Sequence, residues 1–190
     1  GFGKATAPEY NPLFKEDGTL RSETEIRASI AFFAAVVNFI AAWESSSKKD
    51  EINTQILTPI YHIDLSNGLQ VEDLTGFGKS TAPEYNPLYD ENGNVRDASK
   101  TIAFFEGVII FIVAWQASSK RDEINSMILS LYNIDLFNGL QIQDLTGFGK
   151  PTAPEYNPLY DENGNLRPAT KTIAFFGGII IFTNAWESSS

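Results

Sequence analysis

His62 is the only histidine in the chain, and there is no cysteine. A Ser-His-Asp triad or a His-metal site needs convergent partners that a lone loop histidine does not bring. The second copy of the same segment carries Asn133 at this place, so His62 reads as a surface or packing residue. Lys4, Lys79 and Lys150 each follow Gly-Phe-Gly. That is neither a phosphate-cradling loop nor a dinucleotide fingerprint, both of which need a different glycine spacing. These lysines are expected to pair with Glu9, Glu84 and Glu155, or with a partner's surface. The Asp-Glu-Asn-Gly stretch from Asp90 resembles a calcium loop, but its ligand spacing is wrong and Lys15 replaces the aspartate in the first copy. A tight turn with glycine at positive φ is the better account. These residues give no catalytic constellation, and the chain is read as a non-enzyme.

Three polar residues stand inside otherwise apolar runs: Asn38, Glu106 and Asn184. Such residues call for a functional reading by default. In the aligned copies Glu106 falls opposite Ala34 and Gly177, Asn38 opposite Ile110, and Asn184 opposite Val113 and Ala41. Each copy thus has its own polar group at its own depth. That excludes a shared ion pathway. It suits individual contacts, either a helix-helix hydrogen bond or a hard oxygen ligand to the magnesium of a chlorophyll.

The elements that must position these residues come in copies. GFGKATAPEYNPLF starts at Gly1, GFGKSTAPEYNPLY at Gly76 and GFGKPTAPEYNPLY at Gly147, a period of 71 to 75 residues. An internal repeat of this length sets the whole architecture. It divides the chain into units 1–75, 76–146 and the first half of a third, 147–190. The chain opens on a unit's first residue and stops just after the third tryptophan, which predicts a processed product or the ordered part of a longer repeat protein.

Each unit has an apolar run ending in Trp: Ser29 to Trp43, Thr101 to Trp115 and Thr172 to Trp186. Helices are expected near 28–46, 99–118 and 170–187. The runs are apolar nearly all round, unlike a surface helix. A soluble bundle encloses one such helix, whereas three equivalent ones compete for the same central place. Lipid or a large apolar partner is therefore expected to cover them, with no single compact core. Their strictly apolar part is shorter than the ~20 residues that usually span a bilayer, but flanking Lys100 and Lys120 can snorkel. Trp43, Trp115 and Trp186 fall where an interfacial belt residue belongs.

A second run follows in the first two units. Asp122 and Glu123 mark its start, Asn138-Gly139 its stop, and Ile124, Met127, Ile128, Leu131 and Tyr132 make an apolar stripe. It reads as a helix lying on the membrane surface, on a neighbouring subunit or on its own unit. One crossing per unit would put successive signatures on opposite sides of a bilayer. A membrane-embedded hairpin, or burial in a partner, would keep them on one side.

The signatures read as ordered, extended loops because Pro8, Pro12 and their counterparts restrict the backbone. Their aromatics (Phe2, Tyr10, Phe77, Tyr85, Phe148 and Tyr156) form a docking strip for a partner or pack on the chain's own helices. A net charge of −10 argues against nucleic acid as that partner. The layout, with single apolar helices, aromatic loops, acidic polarity and tandem units, is similar to small accessory or linker subunits of photosynthetic supercomplexes. The Glu-x-x-Asn/His-x-Arg helices of chlorophyll a/b light-harvesting proteins are absent. The similarity implies a mainly α, tandem-repeat linker packed among membrane-protein subunits and lipid of the plastid thylakoid, with chlorophyll or carotenoid at its apolar helices. The alternative is a soluble or secreted repeat array that binds a partner through its signature loops.

Overall fold

The structure is a computed structural model, and it describes residues 12–15, 17–70, 87–90, 92–140, 158–161 and 163–189. The described part is mainly helical. Helix α1 spans Glu23–Ser45. It starts five residues before the expected 28 because Ser22 and Glu25 close a capping box there. The Ser22 hydroxyl accepts from Glu25 N at 3.3 Å, and Glu25 Oε2 accepts from Ser22 N at 2.8 Å. Helix α2, Lys49–Ile52, runs on as a π-helical segment, Asn53–Tyr61. The second unit repeats the pattern with α3, Ala98–Gln116, and α4, Arg121–Tyr132. Helix α5, Ala169–Ser188, follows in the third.

The π segment has a cause in the sequence. One residue more separates Ile52 from His62 than separates Ile124 from Asn133. An inserted residue is absorbed by widening the helical ladder from i→i+4 to i→i+5. Both short helices then end alike, at His62 and Asn133, each left-handed at φ 58. The short helix was expected to run to Asn138-Gly139. It stops at Tyr132, and the chain turns back through a 3-10 turn, Leu136–Asn138.

A tight hairpin precedes each long helix. In the second unit Asp90 N donates to Asn94 O at 2.9 Å and Arg96 N to Leu88 O at 2.7 Å. Gly93 supplies the positive φ of 78° that the turn needs. Gly18 and Gly164 do the same in their units. Asp97 caps α3 by accepting from Ser99 N at 3.0 Å.

Packing is ordered along the chain. Helix α3 packs on α1 and α2, and α5 packs on α3 and α4. The buried apolar residues of these helices, from Ala35 to Ile180, form a core cluster fed by all three units. That corrects the expectation of no single core. The three apolar helices do not compete for one central place, because α3 takes it and α1 and α5 flank it. Among the described residues, α1 and α3 are long and apolar enough to cross a membrane, each with a mean hydropathy of 1.7. Helix α5, which carries Thr183 and Asn184, is not one of them.

Candidate functional site

The side chains that repeat in kind and in place lie at the junctions between helices. Within a unit, the long and short helices are tied by the tryptophans. Trp43 Nε1 donates to Lys49 O at 2.8 Å, and Trp115 Nε1 donates to Arg121 O at 2.7 Å. Both indoles are buried. Expected at an interfacial belt, they instead lock the hairpin between each long helix and its short one. Trp186 is exposed.

A buried asparagine ties the short helix to the turn behind it. Asn53 Nδ2 donates to Asp64 Oδ1 at 2.7 Å while its Oδ1 accepts from Leu65 N at 2.8 Å. Asn125 does the same with Asp135 at 2.9 Å and Leu136 N at 2.8 Å. Ser66 donates to Asp64 through both its backbone N–H and its hydroxyl, and with the Asn53 bond this holds the Asp64 carboxyl below the usual carboxylate range. This clasp was missed in the sequence. Its signal is the Asn of Asp-Glu-Ile-Asn and the Asp of Ile-Asp-Leu, present at the same places in both units.

Between units, the closing aromatics of the second and third signatures reach back to the preceding long helix. Tyr89 stacks on Phe32 with ring centroids 6.5 Å apart and planes 4° apart. Tyr160 stacks on Phe104 at 6.4 Å and 8°. Pro87, Leu88, Pro158 and Leu159 are buried beside them, whereas Pro12 and Leu13, with no earlier unit described, are only half-buried. Leu166 lies over Gly107, where an added Cβ would come within 3.2 Å of its Cδ2. Arg96 and Arg167 brace the hairpins by donating from Nε to Tyr89 O and Tyr160 O, each at 2.8 Å.

Of the three polar residues in the apolar runs, Glu106 is half-buried, and its Oε1 accepts from the Ser46 hydroxyl at 2.6 Å. Ser46 belongs to the preceding unit, so Glu106 makes an inter-unit contact. Asn38 and Asn184 are exposed. The structure does not bring the three together. Phe2, Tyr10, Phe77, Tyr85, Phe148 and Tyr156 lie outside the described residues. His62 is exposed and serves as the left-handed end of the short helix. Among the described residues no group of three or more His, Asp or Glu is placed to hold a metal ion. An open cleft of about 380 Å³ runs between the π segment and α3, lined by Gln55, Pro59, Ile109, Ile112 and Gln116, with Leu140 at its edge.

Comparison with protein-family models, curated proteins and solved structures finds no match to this chain.

Proposed function

We propose that the chain is a non-enzymatic scaffold, a tandem array of helix-pair units that links subunits of a larger, membrane-associated complex. The units are 1–75, 76–146 and the first half of a third, 147–190. The observation that carries this reading is the junction built twice over, Phe32 with Tyr89 and Phe104 with Tyr160. Arrays of this kind contact only their neighbours and offer long surfaces in place of one pocket. Apolar side chains on α1 and α5, among them Ile30, Val37, Ile181 and Phe182, stay exposed and are available to lipid or a neighbouring subunit. The layout favours a photosynthetic particle of the thylakoid, with chlorophyll or carotenoid against these outer faces near Asn38 and Asn184. Glu106 already has Ser46 as its partner, which supports a helix contact over a pigment ligand there.

The test is a carbonate wash of membranes from the source cells, followed by the absorption spectrum and subunit list of the particle that retains the chain. Retention in the pellet with a defined set of membrane subunits is expected. Release to the supernatant supports the second reading, a soluble array that binds through its signature loops. One observation favours that second reading. Ser46, just past α1, and Leu166, just ahead of α5, both meet the middle of α3. The long helices are therefore offset along their lengths, whereas sharing one hydrocarbon slab of ~30 Å needs them side by side.

A further inference from the structure

We propose that Asn92 and Asn163, in the hairpin turns ahead of α3 and α5, are sites of self-modification. Each converts to aspartate or isoaspartate through the glycine that follows it, while the fold protects the chain's other two Asn-Gly pairs. The proposal concerns the chain's own chemistry and holds whether or not the membrane-complex reading does. The reaction needs no enzyme. The backbone nitrogen of the glycine gives up its proton to solvent and attacks Cγ of the asparagine. The new N–Cγ bond closes a cyclic imide, the Cγ–Nδ2 bond breaks, and the amide nitrogen takes a proton from solvent and leaves as ammonia. Water then opens the imide at either carbonyl. One opening gives aspartate, and the other gives isoaspartate, with the chain rerouted through the side chain. Glycine favours the first step because no Cβ shields its nitrogen, and asparagine is thermolabile on this account.

The four asparagines that precede a glycine, Asn67, Asn92, Asn138 and Asn163, are all exposed. Their glycine nitrogens are held alike. Gly93 N donates to Asp90 O and Gly164 N to Asp161 O, each at 3.0 Å, Gly68 N to Leu65 O at 3.2 Å and Gly139 N to Leu136 O at 3.4 Å. The difference lies in the asparagine side chains. Asn67 Nδ2 donates to Asp64 Oδ2 at 2.9 Å, and Asn138 Nδ2 to Asp135 Oδ2 at 2.6 Å. Each bond fixes the side chain and ties the leaving nitrogen to a carboxylate, the stronger kind of acceptor. Asn92 and Asn163 instead bond through backbone N, to Asp90 Oδ1 and Asp161 Oδ1 at 2.9 Å each. Their side-chain amides have no hydrogen-bond partner among the described residues and are free to turn onto the glycine nitrogen.

The first unit already carries the product at this place. Asp17-Gly18 makes the same hairpin, with Gly18 N donating to Lys15 O at 3.0 Å and Arg21 N to Leu13 O at 2.8 Å. Asp17 also takes over the turn's side-chain bonds by accepting from Thr19 N at 2.9 Å. That unit, however, has Lys15 where the others have Asp90 and Asp161. A new aspartate at position 92 or 163 joins a carboxylate two residues away, and like charges repel. The turn at Asn92 carries Tyr89, which stacks on Phe32, and the turn at Asn163 carries Tyr160, which stacks on Phe104. Conversion therefore loosens the junctions between units.

The test incubates the folded full chain in mildly alkaline buffer made with heavy-oxygen water, then digests it in ordinary water for peptide mapping by mass spectrometry. Heavy oxygen marks conversion that took place in the folded chain. Asn92 and Asn163 should convert at least roughly tenfold faster than Asn67 and Asn138, the factor that breaking one hydrogen bond to a charged group implies. The same incubation in urea should erase the advantage, since the fold creates it. Equal rates at the four asparagines of the folded chain, or no conversion at the two turns, would overturn the sites. So would an advantage that survives in urea, which would belong to local sequence. Urea titration at low salt reads the consequence. Asn92→Asp should lower the midpoint, and the loss should shrink in high salt. Asp90→Lys with Asn92→Asp and Asn94→Thr, which writes the first unit's turn into the second, should restore it. An Asn92→Asp chain as stable as the parent would overturn the loosening, and a triple variant no more stable than Asn92→Asp would overturn its charge origin.

Discussion

Thr101 and Thr172 hold the same position on successive long helices, and both are buried. Thr172 donates its hydroxyl to Pro158 O at 3.0 Å, while Thr101 Oγ1 has no hydrogen-bond partner among the described residues. An unmade buried hydrogen bond costs about 1–3 kcal/mol, whereas a made one contributes about 1 kcal/mol. Thr101→Val should therefore leave stability unchanged or raise it by up to ~1 kcal/mol, and Thr172→Val should lower it by about 1 kcal/mol. Urea titrations of the two variants check this, and equal destabilisation of both would count against it. The asparagine clasp predicts a larger effect. Asn125→Ala strips partners from Asp135 and from the Leu136 N–H, and should cost about 1–3 kcal/mol. The carboxylates set the pH response. Asp64, Asp90 and Asp161 all have pKa values lowered from 3.8 by the hydrogen bonds they accept, Asp64 first from Ser66 and the other two first from backbone N–H groups of Asn94 and Asn165. The folded form thus holds these protons less tightly than the unfolded chain. Their contribution is complete above about pH 4 and is lost as pH falls through the depressed folded values. An acid titration followed by circular dichroism should show the melting temperature dropping only below that point.

At the scale of elements, the long helices were legible because all-round apolarity over fifteen residues leaves few other structures. Their ends were legible too, except at α1, where the Ser22–Glu25 capping box extends the helix by a turn. The hairpin turn was readable from its Asn-Gly chemistry. The sequence signal Asn138-Gly139 overshoots the short helix, which stops at the left-handed Asn133, with Asn125 reaching across to hold Leu136 N in the turn behind it. Periodicity does not report a contact of that kind. The π segment was likewise hidden, although the one-residue difference between the units is its cause. Deleting Pro59 should restore the length of the second unit's short helix and an ordinary i→i+4 ladder. Stability within ~1 kcal/mol of the parent, with helicity retained, is the expected result in thermal melts followed by circular dichroism. Loss of folding would mean that the wide helix is required by its surroundings rather than imposed by the insertion.

At the scale of the whole molecule, the repeat identified equivalent positions but not their unequal neighbours. Phe39, Phe111 and Phe182 are the same residue in the same run, yet only the first two are covered. Composition cannot distinguish a helix covered by its own chain from one covered by lipid, since the apolar surface is the same. Helix α3 thus keeps the length and apolarity of a membrane span while its own chain buries Phe104, Phe105, Val108 and Phe111 and holds Trp115 on Arg121 O. The chain's own units cover α3 from both sides and leave α1 and α5 as flanks. Hydrogen exchange of the purified full chain, in buffer free of lipid and detergent, tests this most directly. Amides of Phe104 to Phe111 should exchange slowest, with Val36 to Phe39 and Ile179 to Phe182 opening sooner, as flanking elements do. Exchange of α3 as fast as that of the two flanks would contradict the account, and would mean that lipid or a partner, not the neighbouring units, holds the central helix in place.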